Sequence, residues 1–585
     1  MSGRNTQQRL SWPVLLLSST VLASGCGGRT SIDGDGTYGI AGSAAGATTG
    51  NGGIAGDGGN GTGLGGAGAV GGAGAVGGAV TVAGAPNFAG AGGSSALAGA
   101  GGGSPQPNCK PGSVFSGSLK AAETSALEPL RGITRLSGDL SLTSAVDQLG
   151  ALSCLETMVG NLLIDTNSLT DLRGLEHLEE VQGAVNITSN ARLTSLDGLE
   201  KLTAVSGDIT VRYNALLTSV RGLRALTQVT GALSIESNPM LESLSGLEQL
   251  TRVEGVLQIV ADPLRTLEPL RALDHALALH VDDCDSLPDL SGLEGLTSVD
   301  GELDISDNGN LTSIAALGNV RGSGAIFISD NAQLASLKGL EQVTAAPGGV
   351  SIRLNPNLPS LTGLDGLTEA GYLAIASNAR LSNLQALAKL LTVDSYLLIT
   401  QNPALTTLAG LEQVQSVQSL AIDGNESLQD LSGLSGLTTF TKVDDSSYLL
   451  ITNNHSLVSL KGLERLTTLG GLVRINDNFA LTSLSALGGV TQIDAPFQLS
   501  GNTSLVSLMG LEQVTRVGDL DIESNTALKS LHALSALAAI EGNFSVRDNT
   551  ALPNCEAEWV RARVDPAKIG DVSISGNDDA GTCAP

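Results

Sequence analysis

An asparagine returns every 23 or 24 residues through most of this 585-residue chain, set in one recurring phrase: valine, any, glycine, any, leucine, any, isoleucine, any, any, asparagine. A fixed period of that length marks a solenoid, in which each repeat is one small unit whose apolar face only its neighbours can cover. Aligned on that position, the ladder runs Asn167, Asn190, Asn214 and Asn238, then Asp262 and Cys284, then twelve asparagines from Asn308 to Asn577. Two weaker coils precede it with Thr124 and Ala145 in the slot, which makes about twenty coils from about residue 115.

Each coil carries two apolar periods. Around Asn238, Leu233 and Ile235 alternate with Ser234 and Glu236, the two-residue period of a short strand with one buried face. After the asparagine, Leu241, Leu244, Leu247 and Leu250 are spaced by three, which suits a turn of 3₁₀ or short helix across the back of the coil. One strand per coil, stacked on the last, predicts a parallel sheet. The asparagine amide has both donors and acceptors, so a row of them satisfies the backbone of a buried bend.

The phrase Leu233-x-Ile235-x-x-Asn238 resembles a leucine-rich repeat. The next leucine stands three places after the asparagine, at Leu241, and a G-x-L opens the strand, so the pattern is more similar to the receptor L-domain repeat of growth-factor receptor ectodomains and bacterial surface proteins. The fold class that follows is a β-dominated parallel β-solenoid of about twenty leucine-rich-repeat-like, receptor L-domain-like coils with short 3₁₀ or helical turns. The resemblance implies recognition, and it names no ligand.

Composition narrows the function classes. A net charge of −27 argues against nucleic acid, whose binding needs a basic stripe. Solubility of a long surface protein is the main reading of that charge; an acidic docking face for cations or basic partners is the other. The chain has no HExxH, no GxSxG and no glycine-rich phosphate loop after a strand, so no enzyme signature and no cofactor is expected. Some parallel β-helices are carbohydrate-active enzymes, and a passive envelope spacer is also possible for such a scaffold; both stay open as alternatives.

The ends are different material. Residues 1–26 read as an export signal, with Arg4 and Arg9 ahead of an apolar run that closes on Ala23-Ser24-Gly25-Cys26. A cysteine directly after small residues looks like a lipobox, which implies Cys26 as a lipidated first residue. Gly27 in place of an aspartate implies outer-membrane placement. Ordinary secretion and a retained N-terminal anchor are the alternatives. Residues 27–107 are a glycine- and alanine-rich tether, expected to be disordered because such a segment buries too little apolar surface to offset its ordering entropy.

Cysteine use fits an oxidising compartment. Cys555 and Cys583 bracket the last coil, and the segment CEAEWVRARV between Cys555 and Val564 breaks the repeat with a helical apolar face, so residues 551–585 are expected to form a C-terminal cap closed by a Cys555–Cys583 disulfide. Cys109 and Cys154 flank the degenerate first coils and are expected to staple an N-terminal cap over residues 108–160; the repeat solenoid proper then spans 161–550. Cys284 falls on the ladder, where a buried inert thiol is expected.

Residues two, four and six places before each ladder position point out from the sheet. Most are bland, but Tyr372, Tyr396 and Tyr448 stand six before, and Leu398, Leu450 and Phe327 four before. In a chain with 2% aromatics, stacked and exposed tyrosines make an amphipathic surface for a sugar ring, a peptide or another protein. The lengthened connection before Tyr448 lies beside them, as binding-loop insertions in solenoids do. The alternative is that these rings only extend the aliphatic layers. A second cluster, His280, Asp282, Glu302 and Asp304, holds one histidine among acids, too little for a metal site to be expected.

If Cys26 carries lipid, Cys26→Ser moves the protein from the detergent fraction of the envelope to the soluble fraction, since what remains of the apolar run is too short to span a bilayer stably. Membrane fractionation of the two forms checks this, and unchanged partition refutes the anchor.

Overall fold

The computed structural model describes residues 109–440 and 447–583. The expected export signal with Cys26, the tether over 27–107 and most of the lengthened connection before Tyr448 lie outside the described residues.

The predicted alternation forms a strand in each coil, in register with the next. Leu233–Glu236 pairs in parallel with Ile209–Arg212 on one side and with Arg252–Val260 on the other, Leu233 opposite Leu257 and Ile235 opposite Ile259. About twenty such strands stack from Leu119–Glu123 to Val572–Ser575, and with six two-residue strands of the early coils they make a 26-stranded sheet. In four consecutive coils the short and the long strand fuse, as Arg252–Val260, His275–Asp282, Ser298–Ser306 and Ser323–Ser329. Leu233, Ile235, Leu241, Leu244, Leu247 and Leu250 are all fully buried, so the two apolar periods of one coil meet in one layer of core. Burying each such side chain is worth roughly 1.5–3 kcal/mol.

The three-residue leucine spacing takes two forms, where a 3₁₀ or helical turn is expected in every coil. Coils such as those with Glu268–Leu270, Ala315–Leu317 and Gln385–Leu387 make a 3₁₀ turn. Coils with a glycine at the middle position and an acid two residues later do not. There the glycine turns left-handed, as at Gly246 with φ 119°, and its N–H donates to the acid, Glu248 Oε2 at 2.9 Å. Gly292 with Glu294, Gly339 with Glu341 and Gly410 with Glu412 repeat the device. Gly222 lacks the acid, being followed by Arg224, and lies in the 3₁₀ turn Arg221–Leu223. The carboxylate thus supports the left-handed form by accepting the N–H of the glycine, the one residue that adopts that conformation without strain.

The asparagines form the rungs of one continuous ladder. Asn190 donates through Nδ2 to the Ile164 carbonyl at 3.0 Å and to its own Thr188 carbonyl at 3.0 Å, while its backbone N–H reaches Asn214 Oδ1 at 3.1 Å. The pattern repeats to the C-terminal end, where Asn549 N–H donates to Asn577 Oδ1 at 3.0 Å. The residue before most rungs is left-handed, as Ser189 and Tyr213 are with φ of 59° and 56°, and so swings the rung inward.

Two expected rungs are corrected. Asn167 is exposed and Thr166 is buried in the slot, its N–H donating to Asn190 Oδ1 at 2.8 Å. This coil has no left-handed residue ahead of the bend, so its chain reaches the ladder one residue sooner. Likewise Ala145 is exposed and Val146 is fully buried; the apolar side chain makes no rung, and Thr166 Oγ1 donates back to the Val146 carbonyl at 2.9 Å.

Asp262 and Cys284 both occupy their slots, 2% and 0% exposed. Cys284 is a free, buried thiol, pushed up to about 12 by burial, with Sγ 3.4 Å from the Asp282 carbonyl and 3.6 Å from that of Ile259.

Both ends are stapled. Cys109 is bonded to Cys154 and Cys555 to Cys583, with Cα separations of 5.4 and 6.1 Å. The helix Asn554–Arg561 covers the last coils through buried Ala557 and Val560, and the buried carboxylate of Glu556 accepts from Leu531 N–H at 2.8 Å. Among the described residues no helix is long and apolar enough to cross a membrane.

The ladder separates two neighbouring asparagines. Asn190→Ala orphans a buried N–H of Thr166 and carbonyls of Ile164 and Thr188, and is expected to cost about 1–3 kcal/mol or more. Asn167→Ala, on the surface, is expected to stay within about 0.5 kcal/mol. Urea unfolding of both variants checks the order.

Candidate functional site

Because the strands from Leu162–Thr166 onward are held in register by the ladder, the outward positions line up into rows across the sheet. Adjacent strands lie about 4.8 Å apart, so residues that follow one another along a row are neighbours in space. One row runs Phe327, Ser351, Ala374, Leu398, Ala421, Leu450, Arg474. Tyr396 follows Tyr372 on the next row, with Ser419, Tyr448 and Leu472 after it.

The structure brings Tyr372, Tyr396 and Leu398 together. The two rings stack with centroids 4.6 Å apart and planes 21° from parallel, within the range in which aromatic pairs gain about 0.5–1.5 kcal/mol beyond their buried area. Tyr372 lies over Gly349, where φ is 107° and any Cβ would sit 2.3 Å from the ring. Glycine at 349 is therefore what lets this ring lie down against the sheet. The rings were expected to stand exposed; they are half-buried, because each leans on its neighbour. Burial first, then the charge and hydrogen bond of Tyr396, pushes the Tyr372 hydroxyl up to about 12. Tyr396 and Tyr448 are also raised, chiefly by burial. All three stay neutral phenols with donor and acceptor capacity at neutral pH.

Tyr448 and Leu450 form a second apolar group, two strands beyond Tyr396 and Leu398, with the small side chains of Ser419 and Ala421 between. Leu472 is beside Tyr448 and extends that group. Phe327 stands apart, separated from Leu398 by Ser351 and Ala374 and flanked on its other side by Asp304. The patch is thus two apolar ridges with a shallow, small-residue floor between them, and Phe327 is outside it.

The same face carries other chemistry nearer the N-terminus. An open depression of about 480 Å³ lies over the strands from Leu163 to Gln258. Its floor is the row Asn186, Thr210, Ser234 and Gln258, with Arg212 and Glu236 on the next row. Each of these residues is ordinary on a surface, so no single residue signals the depression in the sequence; the register alone assembles it. Arg212 Nε is buried there without a hydrogen-bond partner.

Between the two lies the acidic cluster. His280 Nε2 is 3.4 Å from Glu302 Oε2, and His280 sits beside Asp304 in register. Burial, then Asp307, Asp304 and Asp283, pushes Asp282 up to about 6. Among the described residues no group of three or more histidines, cysteines or acids is placed to hold a metal ion.

No family model matches the chain, and no curated protein matches it. Among solved structures it is similar to the TLR13–ssRNA13 complex, at 15% identity over 76% of this chain and 74% of that chain, with a TM-score of 0.22. At that identity and superposition the likeness carries no ligand across, and the chemistry of the sheet face comes from its own residues.

Proposed function

We propose that this chain is a non-enzymatic recognition protein of the cell envelope: a receptor L-domain-like solenoid, tethered through a lipid on Cys26 and the long glycine- and alanine-rich segment that follows it, that binds a protein or glycan on its exposed sheet. The observation that carries this reading is the Tyr372–Tyr396 stack beside Leu398, continued by Tyr448, Leu450 and Leu472. Aromatic rings held on strands lose little freedom on binding, and their faces and hydroxyls serve apolar and polar contacts together. The small residues between the ridges leave room for a partner to settle against both. The envelope location rests on the lipobox-like N-terminus and on two disulfides, which persist in oxidising compartments.

The test is a glycan and surface-protein binding screen with residues 108–585, repeated with Tyr372, Tyr396 and Tyr448 all changed to serine. Half-buried rings cost more to remove than exposed ones, about 1 kcal/mol each, which a solenoid of twenty layers tolerates, so circular dichroism is expected to stay that of the parent. Binding is expected to fall by at least about thirtyfold, since a single aromatic anchor commonly contributes about 2 kcal/mol. Full binding by the triple variant would move the site elsewhere on the sheet.

A further inference from the structure

We propose that Asp262 stands in the asparagine ladder as a neutral, proton-bearing acid, and that the joint between its coil and the one before is a pH-sensitive weak point of the solenoid. This does not rest on the binding face.

The rung geometry sets the requirement. At Asn238 the amide nitrogen donates twice, to the Val211 carbonyl at 3.0 Å and to the Glu236 carbonyl at 3.1 Å. Asn308 donates in the same way to the carbonyls of Val281 and Ser306, both at 2.8 Å. Asp262 supplies only the accepting half of a rung: its Oδ1 accepts the Asn238 backbone N–H as an asparagine oxygen would. Its Oδ2 holds the place of the amide nitrogen, is buried, and has no hydrogen-bond partner. By the offsets of the other rungs, the carbonyls left to it are those of Ile235 and Val260. An ionised carboxylate oxygen repels a carbonyl oxygen, whereas a protonated one donates to it. One proton on Oδ2 therefore restores one of the two bonds that asparagine makes.

The charges around the site favour that proton. From the preceding coil the charge of Glu236 acts on Asp262; on the following coil its neighbour is the neutral thiol of Cys284, and the charges of Asp282 and Asp283 there act on that thiol. No cation forms an ion pair with Asp262 among the described residues. Burial, opposed by the Asn238 hydrogen bonds and helped by Glu236, pushes its carboxyl up to about 7 from an ordinary 3.8. The next rung is also weak, because a thiol is a poor donor and Cys284 Sγ lies 3.4 and 3.6 Å from its two carbonyls. Two successive rungs are thus below strength at one place.

The sign follows from linkage. The closed joint holds its proton up to about pH 7, whereas the opened joint releases it near the ordinary value, so closure is strongest below about pH 4 and weakens as pH rises through about 7. Across that interval opening grows by up to about tenfold per pH unit. Asp262→Asn restores both donors and removes the dependence.

Hydrogen exchange of the full chain, followed by mass spectrometry on peptides spanning 233–264 and corrected for intrinsic rates, tests this. Parent protein is expected to lose protection by more than about tenfold between pH 5 and pH 8, with Asp262→Asn constant over the same range and peptides around Asn378 unaffected in both. The infrared difference between parent and variant at pH 6 is expected to show the carbonyl band of a protonated carboxyl. Parallel exchange profiles in the two proteins, or absence of that band, would overturn the proposal.

Discussion

Everything in this molecule depends on one amide at one bend. A coil that turns sharply inside a stack leaves backbone donors and acceptors facing a dry core, where each unsatisfied group costs about 1–3 kcal/mol. The asparagine answers with a side chain that accepts from the rung before it and donates to two carbonyls, as Asn378 does to Ile352 and Ala376 at 2.9 and 3.1 Å. Because each rung contacts the next, it also fixes the register of neighbouring strands, and with it the alignment of every outward row. The surface chemistry is thus a by-product of how the bend is satisfied.

That coupling explains why so much was legible and where legibility stopped. The period, the alternation of Leu233 and Ile235 and the triplet leucines lead directly to strand, turn and parallel stacking. The slip at Thr166 was not visible, because the aligned asparagine matches the phrase while the cue that displaces it is a missing left-handed residue. The two turn forms were also missed, although a signal exists: glycine with an acid two places on, against alanine, proline or unaccompanied glycine. On the face, alignment places Tyr372 and Tyr396 side by side; that they stack half-buried needs the open space above Gly349, which depends on a neighbouring coil. The polar depression had no sequence signal, since it is built from serine, threonine, asparagine and glutamine that are unremarked one at a time.

The face is segregated along its length. Hydroxyls and amides with Arg212 occupy the early strands, carboxylates around Asp282 and Asp304 the middle, and paired aromatic and aliphatic ridges the stretch from Tyr372 to Leu472. A stacked array permits this because each coil contributes three outward positions while its core and ladder stay unchanged. Substitution on the rows is therefore nearly free of the fold, whereas Asp262 and Cys284 show that substitution in the ladder is not. The fused strands Arg252–Val260 and His275–Asp282 carry both of those altered rungs, and their extra backbone pairing supports the coils where the ladder is poorest.

The glycine–acid turns change how the chain's acidity is understood. Eight carboxylates, from Glu200 to Glu512, accept the N–H of a left-handed glycine and are parts of the turn. Lysines stand just before the glycine in two of these turns, Lys338 and Lys461, but they are exposed and are not parts of the turn. Each added coil of this kind therefore brings one negative charge as a construction element, so an array of this design grows more acidic as it lengthens, whatever its surface is selected to bind.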